Sequence, residues 1–213
     1  MVSMGVDNII TFDAHDPRVQ NAIPLHGFET VQPIYQFVKG LLKHVKDLQI
    51  DSGHMMIISP DEGGMSRAIY MANVLGLDMG MFYKRRDYTR IINGRNPIVA
   101  HEFLGSSVEG KDMVIIDDMI SSGESVLEVA TALKERKARK IFICATFGLF
   151  TGGLERFDRA YENGMIDRVL TTNLVYQTPE LLEREWYVNC DMSKYIAYLI
   201  DTLNHDASIS DLL

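Results

Sequence analysis

The sequence predicts an α/β fold: a mostly parallel, twisted sheet flanked by helices. Short apolar runs bounded by turn residues recur along the 213 residues, and amphipathic segments of helical length separate most of them. Alternation of this kind closes into a parallel sheet with helices on both faces. Ligands of such sheets bind beyond the carboxyl ends of the strands, so residues just after each strand carry the most functional weight.

The elements fall in order. Asn8–Phe12 (NIITF) reads as the first strand. From Phe28 to Leu48 the residues Val31, Ile34, Phe37, Val38, Leu41, Leu42, Val45 and Leu48 recur at helical spacing, which predicts one long amphipathic helix. Strands follow at Met55–Ser59, Met79–Tyr83, Met113–Asp117, Lys140–Thr146 and Arg168–Thr172. The helices between and after them fall on Gly63–Gly76, with Gly76 as a C-cap, then Ser122–Ala138, Gly152–Gly164 and Cys190–His205. Residues 85–97 are polar and aperiodic, as in a functional lid or a disordered loop.

Composition narrows the function classes. With 46% hydrophobic and 23% charged residues the chain is an ordinary globular one. A net charge of -8 argues against nucleic acid or an anionic membrane as partner, because both need a clustered basic face. One local basic cluster exists, Lys84, Arg85, Arg86, Arg90 and Arg95, which suits a small anion and equally a solvated loop. Cys144 and Cys190 form neither a disulfide framework nor a metal spacing. No secretory leader or membrane-length apolar run is visible, so a reducing cytoplasm is expected.

The most informative stretch is VIIDDMISSGESV, Val114–Val126. An apolar strand runs into a Ser/Gly turn that opens a helix, and a helix N-terminus offers unpaired N–H groups and a positive dipole end to an anion. Ser121, Ser122, Gly123 and Ser125 therefore form a candidate phosphate cradle. Asp117 and Asp118, one step before it, suit sugar hydroxyls or a phosphate-bound magnesium ion. Simple helix capping beside a solvated Asp pair is the bland alternative, and it explains the ordered combination less well.

This segment resembles the phosphoribosyl-diphosphate (PRPP) binding motif of type I phosphoribosyltransferases and of ribose-phosphate pyrophosphokinases. Four further segments and the C-terminal HDASISDLL resemble the pyrophosphokinases: FDAHDPRVQ (Phe12–Gln20), SPDEGGMSRA (Ser59–Ala68), YKRR (Tyr83–Arg86) and FGLFTGGLERF (Phe147–Phe157). The resemblance implies a type I phosphoribosyltransferase-like fold and transfer of diphosphate from Mg-ATP to ribose 5-phosphate, giving PRPP and AMP.

It further implies that His15 and Asp61 approach Mg2+ and the ATP triphosphate, and that Lys84 and Arg86 stabilise the transferring group. Asp117, Asp118, Ser121, Ser122, Gly123 and Ser125 would hold ribose 5-phosphate. Without the resemblance, His15 reads as a structural or surface histidine and Asp61 equally well as an N-cap. The family usually carries Asp-Thr where this chain has Ser121-Ser122. The chain would correspond to the C-terminal portion of such an enzyme. Residues 1–50 are then a remnant of a preceding domain and 51–213 the phosphoribosyltransferase-like domain, with the last helix and tail packing back. A homo-oligomer is implied. The alternatives are a non-catalytic regulatory relative or a type I phosphoribosyltransferase acting on a base.

Overall fold

The computed structural model describes residues 1–25, 27–86 and 98–209. Two sheets are formed among them. β1 (Asn8–Phe12) and β2 (Gly27–Val31) pair in parallel as a small sheet of their own. The larger sheet is made of β3 (Met55–Ser59), β4 (Asp78–Arg86), β5 (Ile98–Leu104), β6 (Asp112–Ile120), β7 (Ile141–Gly148), β8 (Arg168–Thr172) and β9 (Tyr187–Cys190). Its strand order is β5-β4-β3-β6-β7-β8-β9, parallel except for the antiparallel β4–β5 pair at one edge. The order reverses between β3 and β6. The crevice outside their carboxyl ends is the expected ligand position.

Side chains alternate across this sheet, and the two faces make two cores. Met55, Ile57, Val114, Ile116, Phe142, Cys144 and Leu170 face α1 (Ile34–His44) and α2 (Met65–Leu75). Met56, Ile58, Met113, Ile115, Ile143 and Val169 face α3 (Glu124–Glu135) and α4 (Glu155–Glu162). Strands buried on both faces read as unbroken apolar runs, which is why β3 was found at both its ends. α5 (Pro179–Leu182) and α6 (Ser193–Asn204) complete the chain.

The predicted helix over Phe28–Leu48 needs correction. Residues 28–31 belong to β2, and the helix runs only from Ile34 to His44. Pro33 marks the change, since it restricts Gln32 to extended geometry and, lacking an N–H, takes the N-cap position. The strand expected to stop at Asp117 instead continues to Ile120, with Asp117 opposite Ala145 and Ile120 opposite Gly148. Both aspartates thus lie within the strand rather than after it. β2, β5, β9 and α5 were not anticipated. Gly76 does cap α2, at φ 66°, its N–H donating to Ala72 and Asn73 carbonyls.

α1 buries Ile34, Phe37 and Leu41 against the large sheet. Gly40 comes so near it that an added Cβ would lie 3.0 Å from both Cys190 Sγ and the Leu170 side chain. We expect Gly40→Val to cost about 1–3 kcal/mol in urea denaturation, because neither neighbour has room to yield. The rings of Phe12 and Tyr195, from β1 and α6, lie 6.2 Å apart. Cys144 and Cys190 are unpaired and buried. Burial pushes the Cys190 thiol up to about 12 and that of Cys144 well above its ordinary value. No helix among the described residues is long and apolar enough to cross a membrane.

Candidate functional site

A cleft of about 620 Å3 opens at the carboxyl ends of β3 and β6, lined in part by His15, Asp61, Gly64, Arg67, Asp117 and Asp118. The sequence-derived residues from three separate segments therefore meet. β6 directs Asp118 to the α2 side, following Val114 and Ile116, where Arg67 of the first turn of α2 lies buried. His15 Nδ1 is 2.6 Å from Asp118 Oδ2, a contact that fixes the tautomer with Nδ1–H donating to the carboxylate. This hydrogen bond raises the His15 pKa, and the Asp118 charge adds to it.

Behind them is a network of buried groups. Asp13 and Arg67 are 4% and 5% exposed. Arg67 Nε donates to Asp13 Oδ1 at 2.7 Å, and Thr146 Oγ1 donates to Asp13 Oδ2 at 2.7 Å. Arg67 Nη1 stands 4.0 Å from Asp118 Oδ1. Burial raises the Asp13 carboxyl, against the lowering effect of Arg67 and Thr146. Asp13 adopts φ 42°, a left-handed conformation uncommon outside glycine. Asp13 and Thr146 are not among the residues singled out from sequence. The available signal was the Asp-Ala-His spacing in one loop.

The two β6 carboxylates differ. Burial, reinforced by the hydrogen bond to Asp118 and by its charge, pushes Asp117 up to about 7. Burial would raise Asp118 too, but hydrogen bonds to Asp117 and His15, with Arg67 nearby, hold it below its ordinary value. Asp117 is raised in the folded state, so its contribution to stability is complete below about pH 4 and disappears as pH rises through 7. Wild-type protein should thus lose about 2–3 kcal/mol between pH 5 and pH 8 in chemical denaturation, and Asp117→Asn should flatten that slope. An unchanged slope would remove the pair's unequal sharing of charge.

Asp61 Oδ1 accepts from the Gly63 and Gly64 N–H groups at 2.9 and 3.2 Å, so Asp61 closes its own turn while lining the cleft. Beside the cleft, Ser121, Ser122 and Gly123 form the turn into α3. Gly123 takes φ 80°, and α3 has no side-chain cap there; Ser122 Oγ reaches the Glu124 N–H only at 3.4 Å. The first-turn N–H of the exposed Ser125 is left to solvent or an anion. The loop is braced by Thr151, whose N–H donates to the Ser121 carbonyl at 3.0 Å, and by Gly152, where an added Cβ would lie 3.0 Å from the Ser122 carbonyl. Glu124 is exposed. Lys84 and Arg86 lie on β4, but their side chains, like the segment 87–97 expected to act as a lid, are outside the described residues.

A strand–turn–helix segment thus stands beside an acidic cleft at the strand-order reversal of a mostly parallel sheet, the position at which ligands of such sheets bind. The Phosphoribosyl transferase domain model matches residues 28–183, and the chain belongs to that family. Within it, the chain is similar to curated ribose-phosphate pyrophosphokinases. It is 30% identical to that of Vibrio parahaemolyticus over 210 residues, 98% of this chain and 61% of the relative. The enzyme of Pasteurella multocida is 30% identical over 209 residues, with the same shares covered. Ribose-phosphate pyrophosphokinase 5 of Schizosaccharomyces pombe is 33% identical over 180 residues, 84% of this chain and 48% of that one. The chain thus spans about three-fifths of the length of the first two relatives. The crystal structure of phosphoribosylpyrophosphate synthetase from Mycobacterium smegmatis shares the fold, with TM-score 0.76 at 21% identity over 97% of this chain and 61% of that one. The resemblance read from the motifs, and the fold class, are borne out.

Proposed function

We propose that the site serves a ribose-phosphate pyrophosphokinase, transferring diphosphate from Mg-ATP to ribose 5-phosphate to give PRPP and AMP. The observation that carries this reading is the convergence of His15, Asp61, Asp117 and Asp118 on one cleft beside the uncapped start of α3. Ser121, Ser122, Gly123 and Ser125 would hold the 5-phosphate through backbone N–H groups and hydroxyls. Asp117 and Asp118 would hold ribose hydroxyls; a carboxyl with a pKa of about 7 can both donate to and accept from them. Lys84 and Arg86 would stabilise charge on the transferring group.

The donor set suits magnesium in one particular form. Among the described residues no three His, Cys, Asp or Glu side chains cluster closely enough to enclose an ion. Magnesium that keeps its waters and comes with phosphate oxygens needs only one or two protein contacts, and His15 and Asp61 would supply them. Bound there, it would neutralise phosphate charge. His15, oriented by Asp118, and Asp61, oriented by its own turn, would hold that hydrated complex in place.

The homo-oligomer and the cytoplasmic setting belong to the same proposal. A second reading, binding without turnover, is favoured by the uncharged Ser121. Incubation with ribose 5-phosphate and Mg-ATP separates the two. AMP and PRPP in equal amounts support the enzyme, whereas a ribose 5-phosphate heat of binding without AMP supports the binding protein. Neither signal would sink both.

A further inference from the structure

Two buried carboxylates compete for one buried guanidinium. Arg67 Nε sits on Asp13 at 2.7 Å, while its Nη1 is 4.0 Å from Asp118, whose other oxygen holds His15 at 2.6 Å. Asp13 is itself pinned by Thr146 Oγ1 at 2.7 Å, and Thr146 accepts at its carbonyl from Thr172 Oγ1 at 2.6 Å. The Asp13 N–H also donates to the Val31 carbonyl at 2.9 Å, which prolongs the β1–β2 ladder. Asp13 is therefore fixed from three sides. Its left-handed backbone, uncommon outside glycine, is held by those contacts.

Arg67 is 5% exposed, so its charge requires a partner within reach. Without Asp13, the nearest carboxylate is Asp118. A shift of about 1 Å would give Arg67 a full ion pair there. That pair would compete with His15, whose side chain is 77% exposed and has little else to hold it.

We propose that Asp13 is a positioning residue: it keeps the Arg67 guanidinium off Asp118, so that Asp118 stays committed to His15. Its functional weight rests on the reading of the cleft as a magnesium–nucleotide site, but the arrangement itself does not. It predicts a specific pattern of rescue. Asp13→Asn frees a buried cation to capture Asp118. Adding Arg67→Met removes that cation and returns Asp118 to His15. If Asp13 only braced the fold, removing Arg67 as well would make matters worse.

The test uses long-range 1H–15N spectra at alkaline pH, which report the ring nitrogen carrying the proton of a neutral histidine, with His15 assigned by its loss in His15→Gln. Wild type, Arg67→Met and Asp13→Asn/Arg67→Met should all show His15 protonated on Nδ1. Asp13→Asn alone should shift it towards Nε2. A folded Asp13→Asn with the wild-type spectrum, a double variant like the single one, or wild type lacking the Nδ1 proton would each overturn the proposal. Should Asp13→Asn fail to fold, Arg67→Met decides: an unchanged His15 supports the proposal and a changed one overturns it.

Calorimetry with Mg-ADP gives the functional arm. We expect about tenfold weaker binding in Asp13→Asn and recovery to within about threefold in the double variant. Wild type that binds no Mg-ADP while the spectra follow the pattern would end the nucleotide reading and leave the role of Asp13 standing.

Discussion

Gly123→Val is expected to abolish the proposed binding of ribose 5-phosphate and to destabilise the protein by about 2–5 kcal/mol, out of a total of about 5–15. Two costs combine. At φ 80° a branched side chain is strained by about 1–2 kcal/mol, and an added Cβ would lie 2.4 Å from the Phe157 ring, an overpacking that costs about 1–3 more. Phe157 has no room to retreat, being fully buried, stacked on Trp186 at 5.4 Å and edge-on to Phe150 at 5.2 Å. The loop must move instead, and the N–H groups move with it. Gly164→Ala is the control, because it shares the left-handed geometry at φ 66° with nothing within 4 Å of its added Cβ. It should cost about 1 kcal/mol and leave the ribose 5-phosphate titration intact. A Gly123→Val protein that still binds ribose 5-phosphate would remove the phosphate role from this turn.

The second large effect is expected at Asp118. Asp118→Asn keeps the shape but removes the charge that holds His15 and sits 4.0 Å from Arg67. On the proposed activity, PRPP formation should fall by roughly 100-fold, the scale associated with misplacing a positioned group, while the melting temperature changes little because Arg67 keeps Asp13. Following AMP release in wild type and variant gives the ratio directly. Activity within about threefold of wild type would mean that His15 needs no orienting partner.

The sequence made legible what is local or uniformly buried. The run MMIIS matches β3 residue for residue, since a strand covered on both faces must be apolar throughout. The Ser/Gly turn into α3 was equally plain. Where the reading failed, two signals overlapped. Val31 ends β2 yet falls in helical register with Ile34 and Phe37 of α1, and Pro33 between them was the punctuation that should have separated the two. Asp117 and Asp118 looked like a strand's end because they are charged, although β6 carries both forward to Ile120. The roles of Asp13 and Thr146 lie 133 positions apart in the chain and exist only as a contact. No periodicity could have signalled them.

The two buried thiols give the molecule a built-in clock for its own opening. Cys144 lies on β7, inside the sheet, and Cys190 on β9, at its edge. Burial keeps both protonated and out of reach, so an alkylating reagent can act only on molecules that have opened at that strand. Equal labelling rates at the two positions would describe a sheet that opens as one body. A faster Cys190 would describe one that peels from its edge, with the residues around the cleft, set between β3 and β6, among the last to let go.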